Sequence, residues 1–299
     1  MVKEKNNVLG FFTNLLSMLL FVSVDIMVKY LTEYMPVIEV MFYRSITGIP
    51  LLVGYVWIKY GNINQLKMVN VRLQIVRMIL GVSGMFAFFT AYQKMPLGEA
   101  ASILYLSPII LTVLSVIFYN EQIKFHRTAA LIIGFLGGLL ILRPGIDFNF
   151  YALYALAGAI IWALVIIVMR TLSKTDSSYA ITLYFSVMGT AVSGIYLLFN
   201  EFTPIVNSDV LIAVILVGVM GVLAQLFMVI AVELCDTTLF ASSKYMNLIF
   251  TAGASYIVFG EILSNQSWIG MIMIIMAGLY VVWREHKLNK IEKIKAVRY

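Results

Sequence analysis

Ten runs of apolar residues follow one another along this chain, most of them close to the roughly twenty residues a helix needs to cross a bilayer. Hydrocarbon offers no partner to an unpaired backbone N–H or C=O, so runs of this length fold as spanning helices. The expected spans are 8–30, 37–58, 73–93, 97–119, 128–143, 151–169, 179–199, 209–233, 237–259 and 267–284. Turn signals separate them at Met35-Pro36, Met95-Pro96, Arg143-Pro144-Gly145 and Thr203-Pro204, and polar stretches do so elsewhere. The division at Cys235-Asp236 is made because an unbroken 209–259 is far too long for one crossing. A water-soluble globule is excluded: 62% of the 299 residues are hydrophobic and 12% charged, against about 25% charged in an average soluble domain. The first run is not read as a cleaved leader, because it carries Asp25 and Lys29 near its end and lacks a small-residue cleavage site.

Orientation follows from where Lys and Arg fall in the short connections. With the N-terminus in the cytoplasm, fifteen of the 21 basic residues lie in inner segments and three, Lys29, Lys94 and Arg143, at outer ends. Both termini are therefore expected in the cytoplasm. The net charge of +6 is topological and does not indicate a nucleic-acid surface. The basic tail, 285–299, reads as an anchor near anionic lipid. One cysteine, Cys235, and two histidines in polar sequence, His126 and His286, leave nothing for a metal site, a disulfide or histidine chemistry.

A shift of 140 residues aligns Ala101-Ser102 with Ala241-Ser242, Tyr105 with Tyr245, Glu121 with Glu261 and Gly138 with Gly278. A shift of 141 places Lys29-Tyr30-Leu31 on Arg170-Thr171-Leu172. The chain thus reads as two five-helix repeats, 9–143 and 151–283. Five is odd, so the second copy enters the membrane from the opposite side. Inverted repeats of this kind carry their binding site near the midplane between the halves.

Two five-helix halves, Arg44 in the second helix, Ile75-Val76-Arg77 opening the third, Ser107-Pro108 in the fourth and Tyr119-Asn120-Glu121 ahead of Gly134 to Gly138 resemble the drug/metabolite transporter superfamily, its EamA-type family most of all. Phe259-Gly260-Glu261 with Gly270 and Gly278 carries the likeness into the second half. The resemblance implies an all-α polytopic membrane carrier and says little about its cargo. Where the second copy of that family often has a proline in its fourth helix, this chain has Asn247, within the polar stretch Ser243-Lys244-Tyr245-Met246-Asn247. That departure points to specificity. The Asp25…Lys29-Tyr30-Leu31…Glu39-Val40…Arg44 spacing is also similar to the S-adenosylmethionine-importing branch.

Charge within a span costs at least about 2.5–3.5 kcal/mol at the bilayer centre, so it should face a partner or a wet cavity. Lys244 lies roughly 10 Å into its span at 1.5 Å per residue, where its repeat counterpart is Leu104. It is read as touching substrate or a coupling ion, or else as paired with a carboxylate such as Asp25. Asp25 and Lys29, four apart on one helix face, form either a wet salt bridge or leave Asp25 as a proton-binding carboxylate for coupling. Arg44 cannot lose its proton and needs a carboxylate, carbonyls or an anionic ligand; gating and substrate contact both fit. Arg77, one turn from the cytoplasmic end, is expected to snorkel to headgroups. Tyr105, Tyr245, Trp162, Gln225 and Asn247 complete the candidate substrate residues. Glu121 and Glu261 are expected to cap the helix that follows each of them. Gly134 and Gly138 are expected to pack helices within the fold.

The expectation is a secondary carrier in a bacterial inner membrane. It moves a small organic metabolite by alternating access, such as an amino-acid derivative, a nucleoside-like compound or a weak organic ion. Proton coupling and exchange both remain open, as do monomer and homodimer. No cofactor is expected, and no Gly-Lys dipeptide is present to build a phosphate-binding P-loop. A lipid flippase is the alternative. An intramembrane enzyme is the remote one, since paired acids or a metal cluster at membrane depth are missing from the sequence.

Overall fold

A computed structural model describes residues 6–104, 106–107, 109–111, 114, 125–142, 149–205, 207–234 and 237–296. The described residues are helical with short connections, and no strand occurs among them. The helices are α1 (Asn7–Leu31), α2 (Val37–Ile46), α3 (Gly48–Tyr60), α4 (Val71–Lys94), α5 (Leu97–Leu104), α6 (Phe125–Leu142), α7 (Ala152–Leu172), α8 (Ser178–Leu197), α9 (Ser208–Leu234), α10 (Thr237–Phe259) and α11 (Asn265–Ala296). Among the described residues, six segments are long and apolar enough to cross a membrane: α1, α2 with α3, α4, α7, α8 and α9. Shorter apolar helices lie at Leu97–Leu111, Ile132–Ile141 and Asn247–Phe259.

Local chemistry sets the helix ends. Asn6, Asn70 and Ser177 each accept a backbone N–H of the first turn of α1, α4 and α8. Gly61 closes α3 in the left-handed conformation, at φ 65°. The α2–α3 segment is interrupted at Thr47. Pro50 cannot donate to the carbonyl four residues back and its ring crowds that group, which breaks the helix there.

The surface is apolar and the interior holds the polar groups. Phe12, Leu16, Trp57, Ile58, Phe135, Ile195, Phe199 and Ile257 are exposed, whereas Asn14, Glu39, Arg44, Gln74, Arg77 and Gln225 are buried. In water this arrangement would aggregate; in lipid it is the stable one. Small residues bring helices close. Gly137 of α6 and Gly270 of α11 meet backbone to backbone: a Cβ on Gly137 would lie 2.7 Å from the Gly270 carbonyl oxygen. Gly134 and Gly138 face Ile109 and Leu106 of the same chain, so this face is spent on packing inside the fold.

The packing pattern survives an exchange of halves. Replacing α1, α2–α3, α4, α5 and α6 by α7, α8, α9, α10 and α11 turns the α1–α9 contact into α7–α4, α1–α10 into α7–α5, and α2–α9 into α8–α4. The contacts α2–α8, α5–α10 and α6–α11 map onto themselves. A two-fold relation between the halves requires this.

Candidate functional site

Hydrogen bonds gather the connections into two groups. At one end, Glu39 at the start of α2 accepts from the Thr203 backbone N–H and hydroxyl, both at 3.0 Å. Gln93 there donates to the Thr32 carbonyl, and Asn149 to that of Lys94. At the other end, Asp176 accepts from the N–H groups of Val69 and Asn70, and Gln74 donates to the Ala180 carbonyl. Ser178 donates to Glu233.

The first end carries a charged knot. Lys29 of α1 forms an ion pair with Glu261, in the turn between α10 and α11, and donates to the Met95 carbonyl at 2.8 Å. The same Glu261 carboxylate accepts from the Leu97 N–H, opening α5, at 2.9 Å and from the Ser255 hydroxyl at 2.5 Å. Two sequence expectations are corrected here. Glu261 caps α5, in the opposite half, and not the helix after it; α11 is started by Ser264, which accepts from the Ser267 N–H. Lys29 is committed to Glu261 and does not pair with Asp25, because its long stem reaches past the end of α1 to the turn.

Between the two ends, helices of both halves surround a cavity of about 110 Å3. Its polar side chains are Asn14, Ser17 and Asp25 from α1, Arg44 from α2, Arg77 and Tyr92 from α4, Gln225 from α9 and Asn247 from α10, with Ser107 beyond α5. Phe21, Phe88, Phe89, Trp162 and Phe185 supply ring faces, and Met18, Met85 and Met228 fill the remainder. Trp162 meets Phe88 edge-on, with centroids 6.1 Å apart, and Phe21 at 6.5 Å.

Electrostatics organise this lining. Asp25 is matched with Arg44 and with the Tyr92 hydroxyl. Arg44 also donates to the Met85 sulfur at 3.1 Å and lies 5.6 Å from the centroid of Phe185. Arg77 stacks on that same ring at 4.8 Å. It is 1% exposed, which corrects the expectation that it snorkels to headgroups. Gly81, one turn further along α4, is the reason: a Cβ there would stand 2.1 Å from Arg77 Nη1 and 2.7 Å from Phe185. Without a side chain at 81, the guanidinium folds inward.

The structure thus brings Asp25, Arg44, Trp162, Gln225 and Asn247 to one cavity. Tyr105 and Glu121 lie outside the described residues. Lys244 and Tyr245 are on the helical backbone of α10, and their side chains also lie outside the description. Asn14, Ser17, Arg77 and Phe185 line the cavity without having been singled out for it. Only Arg77 with Gly81 offered a signal, an arginine with room beside it on its own helix face.

Known proteins place this architecture. The EamA-like transporter family model matches the chain twice, over 8–143 and 149–284, and the chain belongs to that family. It is 30% identical to an S-adenosylmethionine uptake transporter of Rickettsia bellii, over 88% of this chain and 89% of that protein. It is 26% identical to the pseudopaline exporter CntI of Pseudomonas aeruginosa, over 86% of this chain and 90% of the relative. A riboflavin transporter of Vibrio cholerae is 25% identical over 73% of this chain and 74% of its own. A solved crystal structure shares the fold at a TM-score of 0.70 with 16% identity, covering 95% of this chain and 99% of the other. The chain is a small-metabolite secondary transporter, multi-pass in a bacterial inner membrane. The family and its relatives favour this over a lipid flippase, and they are transporters, not enzymes.

Proposed function

We infer that this transporter carries an amino-acid-derived zwitterion with a planar ring, by alternating access across ten crossings arranged as two inverted repeats, 9–143 and 151–283, with both termini in the cytoplasm. The observation that carries the reading is the cavity at the junction of the halves, where a carboxylate, two guanidiniums and three amides converge among aromatic rings. Charges answer the polar head of such a cargo, and Trp162, Phe88 and Phe21 answer the ring. An S-adenosylmethionine-like compound has both parts.

At about 110 Å3 the cavity holds several waters but falls below the roughly 300 Å3 at the lower end of metabolite sites. Binding therefore has to widen it, and the methionines give way most easily because they are unbranched and flexible. The polar knots at either end are the parts that separate in turn. Asp25 is the coupling residue in this reading: a proton taken there cancels the negative charge facing Arg44 and frees the guanidinium for cargo. Lys244 and Tyr245, beside Asn247 on α10, are assigned to the same site, as is Tyr105 by the repeat.

Uptake of labelled S-adenosylmethionine and related amino-acid derivatives into proteoliposomes tests this function. Saturable uptake that falls at least tenfold in Arg44→Gln and Trp162→Ala is the expected result. No counterflow of any amino-acid derivative from a metabolite panel would remove the substrate assignment. A ligand that stabilised Lys244→Ala and Asn247→Ala as fully as the parent protein would take that stretch of α10 out of the site.

A further inference from the structure

Among the described residues, the cavity lining holds more positive than negative charge. Arg44 is answered by Asp25, but the charge acting on Arg77 is that of Arg44, which has the same sign. Arg77 Nε and Nη1 have no hydrogen-bond partner among the described residues, and neither has Nε2 of Gln225, which is 3% exposed. All three atoms are donors. The Phe185 ring 4.8 Å from the Arg77 guanidinium eases its burial but accepts no hydrogen bond in the plane of the fork. A buried guanidinium left this way is costly, and it draws an anion with acceptor oxygens in the fork's own geometry.

We propose that Arg77 and Gln225, one from each half, form a carboxylate subsite, so that the carboxylate of the cargo answers the Arg77 guanidinium. This rests on the reading of the cavity as the substrate site and assigns the carboxylate of the cargo to these two side chains. The two residues approach from α4 and α9, helices that the pseudo-two-fold exchanges. A bound carboxylate therefore bridges the halves, and a ring attached to it lies toward Trp162 and Phe88. Gly81 is part of the subsite by what it lacks, since a methyl group there would displace the guanidinium.

The test uses the full chain in detergent or nanodiscs and a matched pair of probes, indole-3-acetate and indole-3-acetamide, read as thermal stabilisation against concentration. The acetate should stabilise the parent protein and the uncharged amide should bind about 30-fold or more weakly, the loss typical of removing one partner from a buried charge pair. Arg77→Gln should erase the difference between the probes, and Arg77→Lys should restore part of it. Gln225→Leu should weaken the acetate while leaving the folding of the protein intact. Equal stabilisation by both probes, or none by the acetate, overturns the subsite, and this parent-protein comparison stands even if Arg77→Gln fails to fold. Transport separates the two readings. S-adenosylmethionine uptake that its decarboxylated analogue matches would remove the carboxylate subsite and leave the carrier, whereas acetate binding with no uptake of any amino-acid derivative would remove the carrier's substrate and leave the subsite.

Discussion

Gly81 shows how a single position decides the chemistry of the cavity. Position along a span gives depth but not direction, so Arg77, one turn from the end of its helix, reads in the sequence as a snorkelling anchor. The space left by Gly81 turns it inward instead. Gly81→Ala should cost about 1–3 kcal/mol of stability, the usual penalty for overpacking, and at the same time weaken carboxylate binding about tenfold or more. Chemical denaturation and probe titration on the same preparation check the pair of effects. A variant that lost stability alone would make Gly81 a packing residue only. Asp25 tests differently. Asp25→Asn keeps the shape and removes the titratable group, so substrate exchange should persist while accumulation driven by an imposed pH gradient disappears. Unchanged accumulation at every gradient would end its coupling role.

Among elements, the junction of α1, α5 and α10 governs one end of the molecule. Gly260, at φ 63°, turns the chain sharply after α10 and so delivers Glu261 to Lys29 and to the first amide of α5. Charged hydrogen bonds of this kind are worth about 1.5–3 kcal/mol each, enough to bias which end is shut. Glu261→Gln should loosen that end. A cysteine at Leu104→Cys, in a Cys235→Ser background, should then react with an impermeant maleimide about five- to tenfold faster from outside, and equal rates would refute the latch. Gly260→Ala should act in the same direction, with added backbone strain, because an L side chain rarely adopts this φ. Adjacency in the sequence suggested that Glu261 serves α11. The two-fold packing of halves places the start of α5 nearer.

For the whole molecule, the two sets of connections gathered at opposite ends agree with an alternating thread through the bilayer, and the lipid-facing surface explains why so many large apolar side chains are exposed. Cysteines placed near residue 3 and residue 293 in the Cys235→Ser background should both resist impermeant reagent in intact cells and both react in inside-out vesicles. Emergence on different sides would break the five-plus-five arrangement and with it the inverted pair.

The fold class was legible because hydropathy acts over twenty residues at a time, and lipid leaves the backbone few alternatives to helix. The repeat, which the family model matches twice, was legible for a related reason, since Glu121 with Glu261 and Tyr105 with Tyr245 keep their distances in the sequence when a whole unit is copied. Asp25, Arg44, Trp162, Gln225 and Asn247 stood out as polar or amphipathic groups at membrane depth. Which of them meet, and that Arg77 joins them while Lys29 leaves for Glu261, depended on azimuth around each helix and on how the halves dock. Those quantities are set by contacts between residues more than a hundred positions apart, which a one-dimensional pattern does not encode.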